Sequence, residues 1–207
     1  MLSGKRIVLG VTGGIAAYRA AELISLLKKR GAEVRVVMTE HACRFIAPLT
    51  LETLTGNRVH TDLFAARDEI AHIALAKWAD LFVVAPATAN MLAKFASGVA
   101  DDLLSTTYLA MRCPVLLAPA MNAAMWKHPA TQKNVECLRA WGARFCGPAR
   151  GHLACGDEDV GRMEEPQAIL QAIEDVLCPK QDFAGRRLLV TAGPTREMLD
   201  VYKRQVP

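Results

Sequence analysis

Four apolar, β-branched runs in this chain stop abruptly on small or turn-forming residues, and no other feature restricts the fold as much. KRIVLGV at 5–11 runs into TGGIAAY, and AEVRVVMTE at 32–40 runs into HA. LFVVAPAT at 81–88 is followed by AN, and PVLLAPAMN at 114–122 ends on its own amide. ARFCGPA at 143–149 reads as a fifth, weaker strand. Helical periodicity fills the gaps at 19–31, 89–98, 101–111 and 129–141, and EEPQAILQAIEDVL at 164–177 reads as a closing helix with Pro166 near its start. Strands alternating with helices predict an α/β fold, a doubly wound parallel sheet in a three-layer α/β/α sandwich. Such sheets take ligands at the carboxyl ends of their strands. The four abrupt ends gather hydroxyls, amides and open backbone at that edge.

Composition removes several function classes. The 207 residues are 52% hydrophobic and 22% charged, as in a folded globular protein. A net charge of +4, with no basic cluster longer than three, is too mild for a nucleic-acid partner. No apolar run has the length of a membrane span, and the first strand begins too early for a signal peptide. The six cysteines form no C-x-x-C, and the five histidines have no ligand spacing, so neither a metal site nor a disulfide framework is expected. Free thiols fit a cytoplasmic protein.

Each candidate motif also has a plain structural explanation. In TGGIAAY, Gly13 and Gly14 free the backbone for a tight turn, and the next helix offers unpaired N–H groups to a phosphate. The spacing is not G-x-G-x-x-G, and an ordinary β-α turn explains it equally well. Glu40 fits a ribose-binding acid less well than its neighbour Thr39 fits a phosphate or ribityl hydroxyl. Thr88 and Asn90 in APATAN sit where a helix cap is expected, which does not exclude ligand contact. Asn122 ends a buried strand and is suited to orienting a carboxylate, while Met121 and Met125 around it equally suit a packing patch. His72 in IAHIALAKWAD lies beside an apolar stripe, where a lone histidine is more often structural. Cys155 sits in HLACGDEDVGRM, residues 152–163, which reads as a polar, flexible loop.

Taken in order, GGIAAY, HIALAKWADLFVVAPATAN, PAMNAAMW and ACGDEDVGRM resemble the homo-oligomeric flavin-containing cysteine decarboxylases, in particular the branch acting on phosphopantothenoylcysteine in coenzyme A biosynthesis. The resemblance covers roughly residues 4–200. It implies a Rossmann-like flavoprotein fold binding FMN, built on a homotrimer or a dodecamer of trimers with flavin sites between subunits. Gly14, Ile15 and Ala16 would then lie against the FMN phosphate, Thr39 on phosphate or ribityl, and Thr88, Asn90 and Ala120 along the flavin. His72, Asn122, Met125 and Cys155 match the active-site set, Asn122 and Met125 being substrate-binding.

In bacteria the family is commonly fused to a phosphopantothenate–cysteine ligase, whose opening RRLLVTAGPTRE resembles. The expected organisation is a decarboxylase domain at 1–178, a linker at 179–186 and a truncated ligase start at 187–207. DVYKRQ near the end looks like a non-native tail, and no ligase activity is expected.

The implied reaction converts 4'-phosphopantothenoyl-L-cysteine to 4'-phosphopantetheine. A cysteine-derived carboxylate has no electron sink until the thiol is oxidised to a thioaldehyde; CO2 then leaves and the enethiolate is reduced again. His72 would act as base or electrostatic partner during oxidation, Asn122 would hold the carboxylate, and Cys155 would donate the final proton. Asp157, Glu158 and Asp159 would keep that thiol protonated by repulsion. Alternatives are a peptidyl-cysteine decarboxylase of the same family, a non-catalytic FMN-binding regulatory subunit, a flavin prenyltransferase and a NAD-dependent dehydrogenase.

Overall fold

The computed structural model describes residues 2–64, 70–152 and 158–179. Strands β1 (Arg6–Val11), β2 (Glu33–Met38), β3 (Leu81–Ala87), β4 (Val115–Pro119) and β5 (Arg144–Phe145) form one sheet in the order β2-β1-β3-β4-β5. Every pairing in it is parallel. Residues on these strands alternate between two cores, as a sheet buried on both faces requires. Ile7, Leu9, Val36, Val83 and Leu116 face one core; Val8, Val37, Phe82, Val84 and Leu117 face the other.

Helix α1 (Arg19–Lys29) and the closing α8 (Pro166–Leu177) cover the first core, with Leu23, Leu27, Ile169 and Ile173 fully buried. Between them in sequence lie α2 (Pro48–Thr55), α3 (Ala71–Trp78), α4 (Ala89–Ser97), α5 (Leu103–Ala110), the one-turn α6 (Ala123–Lys127) and α7 (Pro129–Ala140). Leu75, Leu92, Phe95, Leu104 and Leu138 bring α3, α4, α5 and α7 onto the second core. Local chemistry marks the helix ends. The Thr88 hydroxyl accepts from the Met91 N–H at the start of α4, which stops at Gly98, φ +67°. Asp102 and Ser105 make a reciprocal capping box on α5.

The doubly wound sheet is as expected, but several local features differ. Helices α2 and α3 had no sequence assignment: each is eight residues long and buries few positions, so the periodic signal is short. The fifth strand shrinks to two residues. The fourth ends at Pro119, so Asn122 is the cap of α6 and not the end of a strand. Nor is 152–163 simply a loop. Strands β6 (Ala149–His152) and β7 (Glu158–Arg162) pair antiparallel outside the main sheet. Glycine and acids hide that hairpin in the sequence, because their strand propensity is low. Cys155 lies outside the described residues, as do the ligase-like segment and most of the linker.

Candidate functional site

The order 2-1-3-4-5 reverses direction between β1 and β3, and this is where a parallel sheet opens a crevice beyond its carboxyl edge. A cavity of about 870 Å³ occupies that place. One wall is the turn after β1. Its glycines are not there for unusual torsions, since neither Gly13 nor Gly14 has positive φ. Gly13 instead permits close approach: a Cβ on it would lie 2.3 Å from the Cβ of His41. Beyond it a single 3-10 turn, Ile15–Tyr18, precedes α1. Gly14 N–H bonds Thr12 O and Ala17 N–H bonds Gly14 O, which leaves the Ile15 and Ala16 N–H groups available to a ligand.

Thr12 holds this wall to the next. Its hydroxyl is fully buried, donates to Pro86 O at 2.7 Å and accepts from Thr88 N–H at 3.2 Å. Thr39, at the end of β2, bonds Val11 O through its N–H, and its hydroxyl accepts from Ala42 N–H. Ala120 N–H bonds Ala87 O, fixing the far wall to β3. Asn122 Oδ1 accepts from Ala124 N–H at 2.8 Å. The hairpin closes this side: Met121 N–H bonds Gly161 O, and Gly161, φ +146°, packs so closely that a Cβ would lie 2.3 Å from Met121 O.

Of the residues selected from sequence, Gly14, Ile15, Ala16, Thr39, Thr88, Asn90, Ala120, Asn122 and Met125 all line this one cavity. His72 does not. It sits on α3, and its Nδ1 is buried with no hydrogen-bond partner among the described residues. The sequence reading missed Thr12, Arg19, His41, Lys94, Asp102 and Arg162, which also line the cavity. Thr12 and His41 come just after strand ends, and Arg19 and Lys94 stand one turn from the selected Ala16 and Asn90, whereas Asp102 and Arg162 carry no such signal.

The charged lining is largely self-compensated. Lys94 pairs with Asp101 at 2.6 Å and Asp102 at 2.8 Å. Burial pushes the Asp102 carboxyl up, but the Lys94 ammonium and the Ser105 N–H and hydroxyl outweigh it and leave it below its ordinary range. Arg19 and Arg162 share the Glu165 carboxylate at 2.8 and 2.6 Å. The donor set fits a phosphorylated flavin: backbone N–H groups and hydroxyls at one end, Ala120, Met121, Met125 and Met163 for an apolar ring at the other. Among the described residues no group of three or more His, Cys, Asp or Glu is placed to hold a metal, and the cysteines Cys43, Cys113, Cys137, Cys146 and Cys178 are free thiols.

Residues 1–178 match the flavoprotein family. The chain belongs to that family. This flavoprotein is 50% identical over 201 residues to the coenzyme A biosynthesis bifunctional protein CoaBC of Haemophilus influenzae, covering 96% of the chain and 50% of that relative. The chain thus spans about half the length of the curated relatives it matches. Among solved structures, a PPC decarboxylase mutant complexed with pantothenoylaminoethenethiol superposes with a TM-score of 0.77 at 32% identity, over 82% of this chain and 96% of that one. The FMN-dependent cysteine decarboxylase SpaF gives 0.72 at 39% identity, over 84% and 99%.

Proposed function

We propose that this flavoprotein binds FMN and decarboxylates 4'-phosphopantothenoyl-L-cysteine to 4'-phosphopantetheine, as the decarboxylase half of a CoaBC-type protein. The observation that carries the reading is that nine residues selected for this chemistry converge on one cavity at the sheet's switch point. The curated relatives, 47–50% identical along nearly the whole chain, favour the pantothenoyl substrate over the peptidyl-cysteine alternative.

Gly14, Ile15 and Ala16 would lie against the FMN phosphate, held by the Ile15 and Ala16 N–H groups, with Thr39 beside them, and Thr88, Asn90 and Ala120 would flank the ribityl and ring. When bound, FMN supplies two-electron oxidation and re-reduction at the cysteine-derived carbon. Asn122 holds the substrate carboxylate, and Met125, half exposed in the isolated chain, packs against the substrate. Cys155 returns a proton at the end. His72 serves a cavity other than its own chain's, in a homotrimer or a dodecamer of trimers. Its orphaned Nδ1 supports this, as does the exposure of Phe64, Ile70 and Ile73 at and near the start of α3, an apolar surface that a second copy would cover. No described helix is long and apolar enough to cross a membrane, and a cytoplasmic location is proposed with the pathway. Residues 1–178 form the decarboxylase domain in this reading.

The test is direct. The purified chain, loaded with FMN, should show two visible flavin bands and release CO2 from phosphopantothenoylcysteine, with 4'-phosphopantetheine identified by mass spectrometry. Failure to take up FMN would defeat the cofactor assignment. Uptake without CO2 release would defeat the substrate assignment, and turnover of C-terminal cysteinyl peptides alone would favour the alternative.

A further inference from the structure

The cavity places one basic side chain without an acidic partner at its phosphate end. Of the basic residues lining it, Arg19 and Arg162 are held by Glu165, and Lys94 is held by Asp101 and Asp102. His41 is the remaining one, and its imidazole has no hydrogen bond or ion pair among the described residues. It is exposed, and it is fixed close to the glycine turn. Its Cβ packs over Gly13, where any larger residue would collide with it, and its backbone carbonyl accepts from Arg44 N–H at 3.2 Å. The residue that follows Gly13 leads into the Gly14–Ala16 cradle, whose Ile15 and Ala16 N–H groups are available to a ligand.

We infer that His41 is a phosphate-binding residue whose imidazolium adds a pH-dependent charge contact to a phosphate monoester in the Gly14–Ala16 cradle. The inference rests on the FMN reading and deepens it, because backbone N–H groups and hydroxyls supply no full positive charge to a dianion. The neighbouring charges do not cancel this contribution. Glu40 on the same loop is exposed and stands 3.9 Å from Arg44, and across the cavity Arg19, Lys94, Asp102 and Arg162 are each engaged in ion pairs. Histidine changes charge between about pH 5 and 8. Phosphate binding favours imidazolium, so this contribution is present at low pH and lost as pH rises. The phosphate gains its second charge near pH 6, so pH affects both partners, and only comparison with a variant isolates the histidine.

The experiment measures dissociation constants of FMN and riboflavin by flavin fluorescence quenching from pH 5.5 to 8.5. It uses the full chain and its His41→Gln and His41→Arg variants. Riboflavin lacks the phosphate and serves as the internal control. At pH 6, His41→Gln should weaken FMN about five- to tenfold, as expected for one charge-assisted contact, and leave riboflavin unchanged. The difference should close by pH 8.5. His41→Arg should keep FMN tight across the range, with the histidine's part of the pH dependence removed. Equal FMN affinity in parent and His41→Gln at pH 6 overturns the inference while leaving the FMN reading intact. Equal weakening of FMN and riboflavin also overturns it, since His41 would then act on packing. A parent chain that binds neither flavin overturns both.

Discussion

Replacing Thr12 by valine tests whether the cavity's first two walls are joined by one hydroxyl. The side chain is fully buried, and valine copies its shape. What is lost is the bond to Pro86 O at 2.7 Å and the acceptor for Thr88 N–H at 3.2 Å. Each buried group left without a partner costs about 1–3 kcal/mol, and Thr88, half-buried, can recover part of its share from water. A net loss of about 2–3 kcal/mol follows, which for a domain of this size lowers Tm by roughly 5–10 °C. Thr12→Ser keeps both bonds and loses a methyl, costing about 1 kcal/mol. Urea unfolding should therefore rank parent above serine above valine, at one fixed protein concentration because an oligomer's stability depends on it. FMN affinity should follow the same order, since Thr88 is positioned through Thr12. Valine as stable as the parent, or more stable than serine, would refute the assignment and leave packing as the role of this residue.

Cys155→Ser should still bind FMN, oxidise substrate and release CO2, then stall with reduced flavin; single-turnover absorbance with CO2 capture reads this, and full turnover at the parent rate would make the cysteine a bystander. His72→Asn should show little flavin reduction, and mixing it with Cys155→Ser subunits through a denature–refold cycle should recover turnover if sites are shared between copies. Gly161→Ala puts a Cβ against Met121 O at a positive φ, so a loss of about 2–4 kcal/mol in urea unfolding is expected. Asp102 has a lowered pKa in the fold, so its contribution is present above its unfolded value, about 3.9, and is lost as pH falls through the folded one. Asp102→Asn should be less stable than the parent at pH 7, with the gap closing below about pH 4.

The parts of the fold legible in the sequence are those where burial is two-sided and long. The strand Leu81–Ala87 is buried at every position, and the helix Pro166–Leu177 carries Ile169, Leu170 and Ile173 at helical spacing behind an N-terminal proline. The cavity's neutral lining was equally accessible, because ligand-binding residues in such a sheet fall where strands end. The ion pairing of its charged lining was not. Arg19 and Arg162 meet only through Glu165, and sequence separations of 146 and 3 give no common sign of it. His72 shows the other limit. Its spacing beside an apolar stripe reads as structural, only the resemblance marks it as functional, and in the fold it stands on α3 outside the cavity that the other selected residues line.

The hairpin changes the electrostatic argument made for Cys155. From sequence, Asp157, Glu158 and Asp159 act together to hold the thiol protonated. In the fold Asp159 is taken: Lys127 at the end of α6 binds its carboxylate and, with the Val160 N–H, holds its pKa below the ordinary carboxylate range. An ion-paired carboxylate exerts little net field on a neighbouring thiol, so its role shifts from repulsion to anchoring. It works with the Met121–Gly161 backbone bond and the Arg162–Glu165–Arg19 chain to fix the base of the hairpin against the cavity wall. Lys127→Met therefore acts on two levels that separate experimentally. It frees Asp159, whose effect on Cys155 an alkylation-rate profile reads, and it loosens the β7 anchor, which weakens substrate binding. A binding loss with no change in the thiol profile would place the carboxylate wholly in the anchoring role.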